Sequence, residues 1–264
     1  MAATPAERWR STGLGALGLV GLVALWWILE ATVFSEKLVP SPPEVISTWG
    51  DDGLTFYRNN FGGTIEEAIR GFVWGNALAL ALASLVLLVP QIERVITQIA
   101  IISYCIPLVA ITPILYVVLG GSDGPGDPSP TAVSLAAISV FFTTVVGAVL
   151  GFRSADPTSL DLVRVYGGGR IAQLRRVQLV SAFPAILAAL QIAAPAAFLG
   201  AILGEYIGGV DRGVGPALIN AQQNLDAGRA WGIMIVCGVV AGAGYALFAL
   251  MARFVTPWAK GAQA

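Results

Sequence analysis

Histidine is absent from these 264 residues, and cysteine occurs only twice. Without imidazole the commonest general base and metal ligand is missing, which weakens every enzymatic reading at once. Cys105 and Cys237 both lie inside apolar runs, where a thiol behaves as a small buried hydrophobe, so neither a disulfide nor a metal site is expected. Charge is scarce as well: 12% of residues are acidic or basic, against roughly 25% in a soluble domain. A Gly-x-x-x-x-Gly-Lys-Ser/Thr phosphate loop is missing, so nucleotide must bind elsewhere if it is used at all. A membrane-embedded enzyme would need clustered acids, histidines or a nucleophile with its base, and none is visible. No catalytic residue, no metal ligand and no nucleic-acid partner is assigned.

Apolar residues fill the space these absences leave. They make up 56% of the chain, and the mean hydropathy is +0.76. Such a composition belongs to an integral membrane protein. Strand-like alternation is lacking, so the spans are helices, which satisfy their own backbone groups in lipid. At about 20 residues per span the length allows roughly six in one domain. The expected architecture is an all-α integral membrane protein with about six transmembrane helices.

The first span covers Leu14 to Thr32 and is read as a retained helix, because the run is longer than a signal-peptide core and no small-residue cleavage site follows. Ser41-Pro42-Pro43, followed by Val45, Ile46 and Trp49, predicts a short capped amphipathic helix at the interface. The second span runs from Ile65 or Ile69 to Val89 and stops at Pro90. A third, Ile92 to Leu119, contains Pro107 and Pro113, and an acidic, turn-rich loop follows it. Ala132 to Phe152, Phe183 to Ile207 and Trp231 to Val255 complete the six. A tail over 1–12, one membrane domain over 13–257 and a tail over 258–264 result.

Placing the amino terminus inside puts Arg8, Arg10, Arg94, Arg153, Arg164, Arg170, Arg175, Arg176, Arg253 and Lys260 on that side, against Lys37, Arg58, Arg70, Arg212 and Arg229 outside. That excess is what the positive-inside rule expects, so both termini and the 153–182 loop are placed in the cytoplasm. Internal repeats are not evident, and one six-helix unit is too small to enclose a wide path, so a second copy with the pathway at the interface is expected. In the fifth span Ala196, Gly200, Gly204 and Gly208 recur every four residues, as in close helix packing. Glu205 adjoins the stripe, and an acid there is functional by default, with a structural and a gating role both open. Pro107, Pro113 and Pro195 free carbonyls that either line a path or mark simple kinks. The tryptophans at 26, 27, 49, 231 and 258 fall near span ends, as interfacial anchors do.

The segment from Arg153 to Pro184 stands apart. It is the long polar stretch between two strongly apolar ones, with five arginines, no lysine and three consecutive glycines. Leu160 to Val165 predicts a helical turn with N-cap chemistry at Asp156-Pro157 and Ser159. Gly167 to Gly169 break it, and a second amphipathic stretch with Ile171, Leu174, Val177 and Leu179 follows, before Pro184 opens the next span. A basic loop held only by anionic headgroups is the bland alternative, but lipid attraction needs no sharp turn.

These residues resemble the EAA loop of inner-membrane permeases of ABC importers, whose pattern is E-A-A, three residues, Gly, nine residues, then I-x-L-P. Here the pattern reads Asp161-Leu162-Val163, Gly167 and Val177-Gln178-Leu179-Val180. Asp replaces Glu, larger residues replace the alanines, and Val180 stands where the proline should be. Around the loop, Gly151-Phe152-Arg153, Asp156-Pro157, Pro184, Gly204-Glu205-Tyr206 and Gly213-Val214-Gly215 fall in the order found in permeases for nitrate, sulfonates and taurine, as do the 40–45 segment and the Pro107 and Pro113 pair. Glu66-Glu67-Ala68 is set aside, because it lies on the outer side and lacks the downstream glycine spacing.

The resemblance implies a type I ABC importer permease fold that crosses a bacterial plasma (inner) membrane several times, in contact with membrane lipid and paired with a second permease copy as a homodimer. Asp161, Leu162, Val163, Arg164 and Gly167 would dock a cytoplasmic ABC ATPase dimer, with Val177 and Leu179 anchoring the loop. ATP with Mg would be bound and hydrolysed by that partner, and this chain would hold no cofactor. An extracytoplasmic solute-binding protein would deliver a small solute such as nitrate, a sulfonate or taurine, or a vitamin-precursor-like heterocycle. Pro107, Pro113, Gly200, Gly204 and Glu205 are the candidates for the pathway or its gate. From a different class, an ATP-independent secondary transporter or channel would more often carry several intramembrane charges or internal repeats.

Overall fold

A computed structural model describes residues 5–32, 39–124, 126–208 and 210–258. The carboxyl-terminal tail therefore lies outside the described residues apart from Trp258, as do the first four residues of the amino-terminal tail. The remainder of that tail is already helical. The helices are α1 (Pro5–Thr32), α2 (Pro42–Leu88), α3 (Glu93–Cys105), α4 (Leu108–Leu119), α5 (Pro130–Arg153), α6 (Pro157–Val165), α7 (Arg170–Gln173), α8 (Leu179–Ile207), α9 (Val214–Gln223) and α10 (Ala227–Val255). No strand occurs among the described residues. Five helices are long and apolar enough to cross a membrane, and the bent α3–α4 pair makes a sixth crossing if it counts as one.

Three elements differ from the sequence expectation, each for a local reason. The interfacial helix at 42 is not separate: Ser41 and Pro42-Pro43 start it as expected, but it continues into the second span across one non-helical residue, Gly53, at φ 67°. Glycine alone takes that conformation without strain. The third span is sharply broken rather than bent, with α3 and α4 at 98°. Ile106 is extended at ψ 123° because the ring of Pro107 forbids the helical region to the residue before it. Pro184 does not open the fifth span but lies inside it with Pro195, since α7 runs through a π-helical stretch at Leu174–Gln178 directly into α8. Membrane helices tolerate such internal prolines where neighbouring groups satisfy the freed carbonyls.

Two compact units emerge, Met1–Tyr57 with Leu218–Val236, and Arg58–Ala217 with Cys237–Ala264. In the first, Arg229 near the start of α10 grips Asp52 through Nε at 2.9 Å and Nη2 at 2.5 Å, the two-pronged geometry that a guanidinium offers a carboxylate. The same guanidinium lies 5.6 Å over the Phe56 ring. Asp226 caps α10 by accepting the Arg229 backbone N–H at 2.9 Å. Trp26 stacks on Trp231 with centroids 5.3 Å apart, and its indole N–H donates to the Pro40 carbonyl.

The second unit is built on the seam between α5 and α8, and the later part of α2 also packs on α5. Small residues make both contacts. A Cβ on Gly200 would lie 2.8 Å from Ala136 Cα, and one on Gly75 would lie 2.8 Å from Ala137 Cα, distances that backbones cannot yield. Lipid is as apolar as leucine, so helices here associate through such close packing and not through the hydrophobic effect. One buried polar tie crosses the α2–α5 contact, where the Thr144 hydroxyl donates to Asn76 Oδ1 at 2.5 Å. Towards α3, Ala79, Val86, Ile96, Ala100, Phe141 and Val145 form an apolar cluster.

Gly200→Val should cost about 1–3 kcal/mol through overpacking, read as a lower unfolding temperature of the detergent-purified protein. Gly242→Val, where a Cβ meets nothing within 4 Å, should leave that temperature close to wild type.

Candidate functional site

The two ends of α5 carry the two constellations of interest. With 24 residues, α5 is about 36 Å long at 1.5 Å per residue. Its carboxyl end leads into the 153–182 loop, while its amino end lies against Gly204, one residue before Glu205.

In the loop, Asp156 caps α6 by accepting both the backbone N–H (3.0 Å) and the hydroxyl (2.9 Å) of Ser159. These hydrogen bonds hold its carboxyl below the usual aspartate range, the side-chain bond contributing most. At the other end the Gly167 N–H donates to the Arg164 carbonyl and the Gly168 N–H to the Val163 carbonyl, each at 2.8 Å. Those two bonds with Gly167 at φ 77° constitute a Schellman stop. Both helix ends are thus closed by local chemistry. Gln173 then ties α7 back to α6, its amide donating to the Leu160 carbonyl at 3.1 Å. Leu174 and Leu179 pack on Ala83, Ala148, Phe152 and Ala182, which fixes the loop to the spans. Val177 is half-buried, and Asp161 and Arg164 form an exposed pair at 3.4 Å.

Three large side chains at the end of α6 stand exposed among the described residues. Leu162 is 58% exposed, Val165 83% and Tyr166 84%. A cleft of about 230 Å³ lies among Leu162, Val163, Tyr166, Gly168 and Arg176. On the flank, Arg153 pairs with Glu93 at 2.5 Å.

At the other end of α5, Glu205 and Glu67 are almost fully buried, 2% and 1% exposed. Glu205 Oε1 accepts the Thr64 hydroxyl at 2.5 Å and Oε2 the Gly215 N–H at 2.8 Å. Thr64 Oγ1 in turn accepts the Val214 N–H at 3.0 Å. The first two amides of α9 are therefore capped by side chains from α8 and α2, and an acid at that end also suits the helix dipole. Glu67 Oε1 accepts the Ser129 N–H at 2.6 Å, just before α5 begins. Gly213 and Gly215 leave the room this needs, since a Cβ on either would collide with Glu205.

Among the expected pathway residues, Gly200 and Gly204 face α5, Glu205 turns to Thr64 of α2 and to the start of α9, Pro107 marks the α3–α4 break and Pro113 lies inside α4. Thr64, Glu67, Ser129 and Gln173 were not singled out by sequence. For Glu67 the sequence signal is an acid three residues after a threonine at the start of an apolar run. Nearby, an apolar cleft of about 590 Å³ is lined by residues such as Ile65, Phe72, Phe198, Gly244 and Phe248, none of them charged.

Sequence comparison gives the family of this chain. Residues 75–261 match the family described as binding-protein-dependent transport system inner membrane component, and the chain belongs to that family. It is a multi-pass inner-membrane ABC transporter permease. Relatives include a probable ABC transporter permease protein of Haemophilus influenzae, 25% identical over 84% of this chain and 89% of that one. The formylaminopyrimidine transport permease protein ThiX of Halalkalibacterium halodurans is 22% identical over 90% and 93%. A putative aliphatic sulfonates transport permease protein, SsuC of Bacillus subtilis, is 24% identical over 90% and 84%.

Because the Asp156 carboxyl is held low in the folded state, the cap is present above the ordinary aspartate range, about pH 4, and is lost as the pH falls through its folded value. Amide exchange across α6, corrected for intrinsic rates, should be constant from neutral pH down to that range and rise below it. Asp156→Ala should show the faster exchange already at neutral pH.

Proposed function

We propose that this chain lines the substrate path of an ATP-driven importer as a dimer, and that α6 is the element by which cytoplasmic ATPase subunits move it. The observation that carries the reading is the α6 face itself. Leu162, Val165 and Tyr166 project from a short helix closed at both ends, which suits insertion into a partner's groove. Asp161 and Arg164 supply a polar edge, Val163 and the Gly167 turn set its angle, and Val177 and Leu179 hold its base. Both termini are then cytoplasmic, and an extracytoplasmic binding protein delivers the solute.

The solute is a small molecule of the nitrate, sulfonate or heterocycle kind. Support comes from the names of two relatives, one for a formylaminopyrimidine and one for aliphatic sulfonates. The uncharged lining of the large cleft supports a division of labour in which the binding protein selects and the permease conducts. Pro107, Pro113, Gly200, Gly204 and Glu205 belong to the moving parts of the path in this reading.

Gly167→Pro tests it, since proline fixes φ near −65° where the turn requires 77°. The variant should insert normally, fail to copurify with the ATPase subunits that the wild type retains, and lose at least about tenfold in uptake, the cost of roughly one misplaced contact. Wild-type uptake by Gly167→Pro, or ATP-independent transport by the chain alone in vesicles, would overturn the assignment and favour a channel or secondary transporter.

A further inference from the structure

Glu67 is a buried acid that the transport reading leaves without a task. Its Oε1 accepts the Ser129 N–H, while Oε2, also buried, faces no hydrogen-bond donor. One turn before it on the same helix, Thr64 holds the carboxylate of Glu205, so the two buried acids share one site. Both oxygens of Glu205 are engaged as acceptors, one from a hydroxyl and one from an amide. An ionised carboxylate only accepts, whereas a carboxylic acid has one O–H to donate.

The charges around the pair are quickly enumerated. On the helix of Glu67, Glu66 is half-exposed and paired with Arg70 at 2.5 Å. From α8 comes Glu205, from the start of α5 the uncharged Ser129, and from the start of α9 only backbone amides. No cation lies among these partners to offset two buried negative charges, and like charges at contact cannot both be kept in such a site. One proton removes the excess charge and supplies the missing donor together.

We propose that Glu67 is a neutral carboxylic acid whose O–H is directed to an ionised Glu205, and that it acts as a positioning residue for the start of α9. Glu205 is then the one charge of the cluster, held in the orientation in which it caps Gly215 and receives Thr64. Thr64 passes the constraint to Val214. The acidic pair is thus a latch joining α2, the start of α5, α8 and α9 around a single shared proton. This holds whether or not α6 docks an ATPase.

The test uses the full chain in lipid nanodiscs with whatever subunits copurify. The infrared carbonyl band of a protonated carboxyl group should be present in the wild type and vanish in Glu67→Gln. Glutamine keeps an acceptor for Ser129 and offers an N–H to Glu205, so amide exchange at Val214 and Gly215 should stay at the wild-type rate. Glu67→Leu, with neither group, should raise that exchange about tenfold, as expected for losing one hydrogen bond to a charged group. Glu205→Gln should raise it as well. Persistence of the protonated band in Glu67→Gln would overturn the proposal. So would faster exchange in Glu67→Gln equal to that in Glu67→Leu, or unchanged exchange in both Glu67→Leu and Glu205→Gln.

Discussion

Backbone proximity at α5 is the constraint on which the larger unit depends. A helix in lipid gains nothing by hiding apolar side chains from a solvent equally apolar, so contact must come from fit. Glycine and alanine on α2 and α8 provide it, bringing both helices onto α5 until a methyl group would no longer pass. Longer side chains are displaced outward, and α10 accordingly presents Val239, Leu247 and Phe254 to the surroundings. The consequence is a stiff central element whose length, about 36 Å for 24 residues, slightly exceeds the hydrocarbon core of about 30 Å. Whatever is attached to its ends sits at opposite membrane faces.

That geometry explains why the two constellations have such different characters. The α6 end is exposed and closed by short-range bonds, which hold its shape without help from distant residues. At the far end the Glu67–Glu205 cluster is buried, and its bonds link residues 62 and 141 positions apart. Each buried donor or acceptor left unmatched there would cost roughly 1–3 kcal/mol, which makes the arrangement of Thr64, Ser129 and the α9 amides mutually dependent.

Legibility in the sequence followed the same divide. The caps of α6 were readable because Asp156, Ser159 and Gly167 act within a few residues of one another. The apolar runs located the crossings, and small residues at 200 and 204 marked a packing face. Their counterparts Ala132 and Ala136 gave no signal, since alanine is unremarkable in any helix. Pro107 announced a bend but not its size, which depends on Ile106 leaving the helical region. Gln173 and Glu67 were opaque for a related reason: their partners, the Leu160 carbonyl and the Ser129 amide, are backbone groups of other elements. The relatives do not narrow the solute either, because those named for different compounds stand at 22% and 24% identity.

The π-helical stretch at Leu174–Gln178 has a mechanical meaning. By inserting a wider turn instead of a break, it lets the helix continue from Arg170 to Ile207 over 38 residues, with Pro184 and Pro195 as positions inside it that donate no backbone hydrogen bond. A hinge would dissipate a push on the loop as local bending. A rod without such a hinge would carry it toward the α5 seam as tilt and axial rotation. The extra residue in that turn sets the phase between the loop and the seam. Removing it would rotate the far end by about 100° relative to the loop, so the register of this one turn fixes which face of α8 meets α5 for a given placement of the loop.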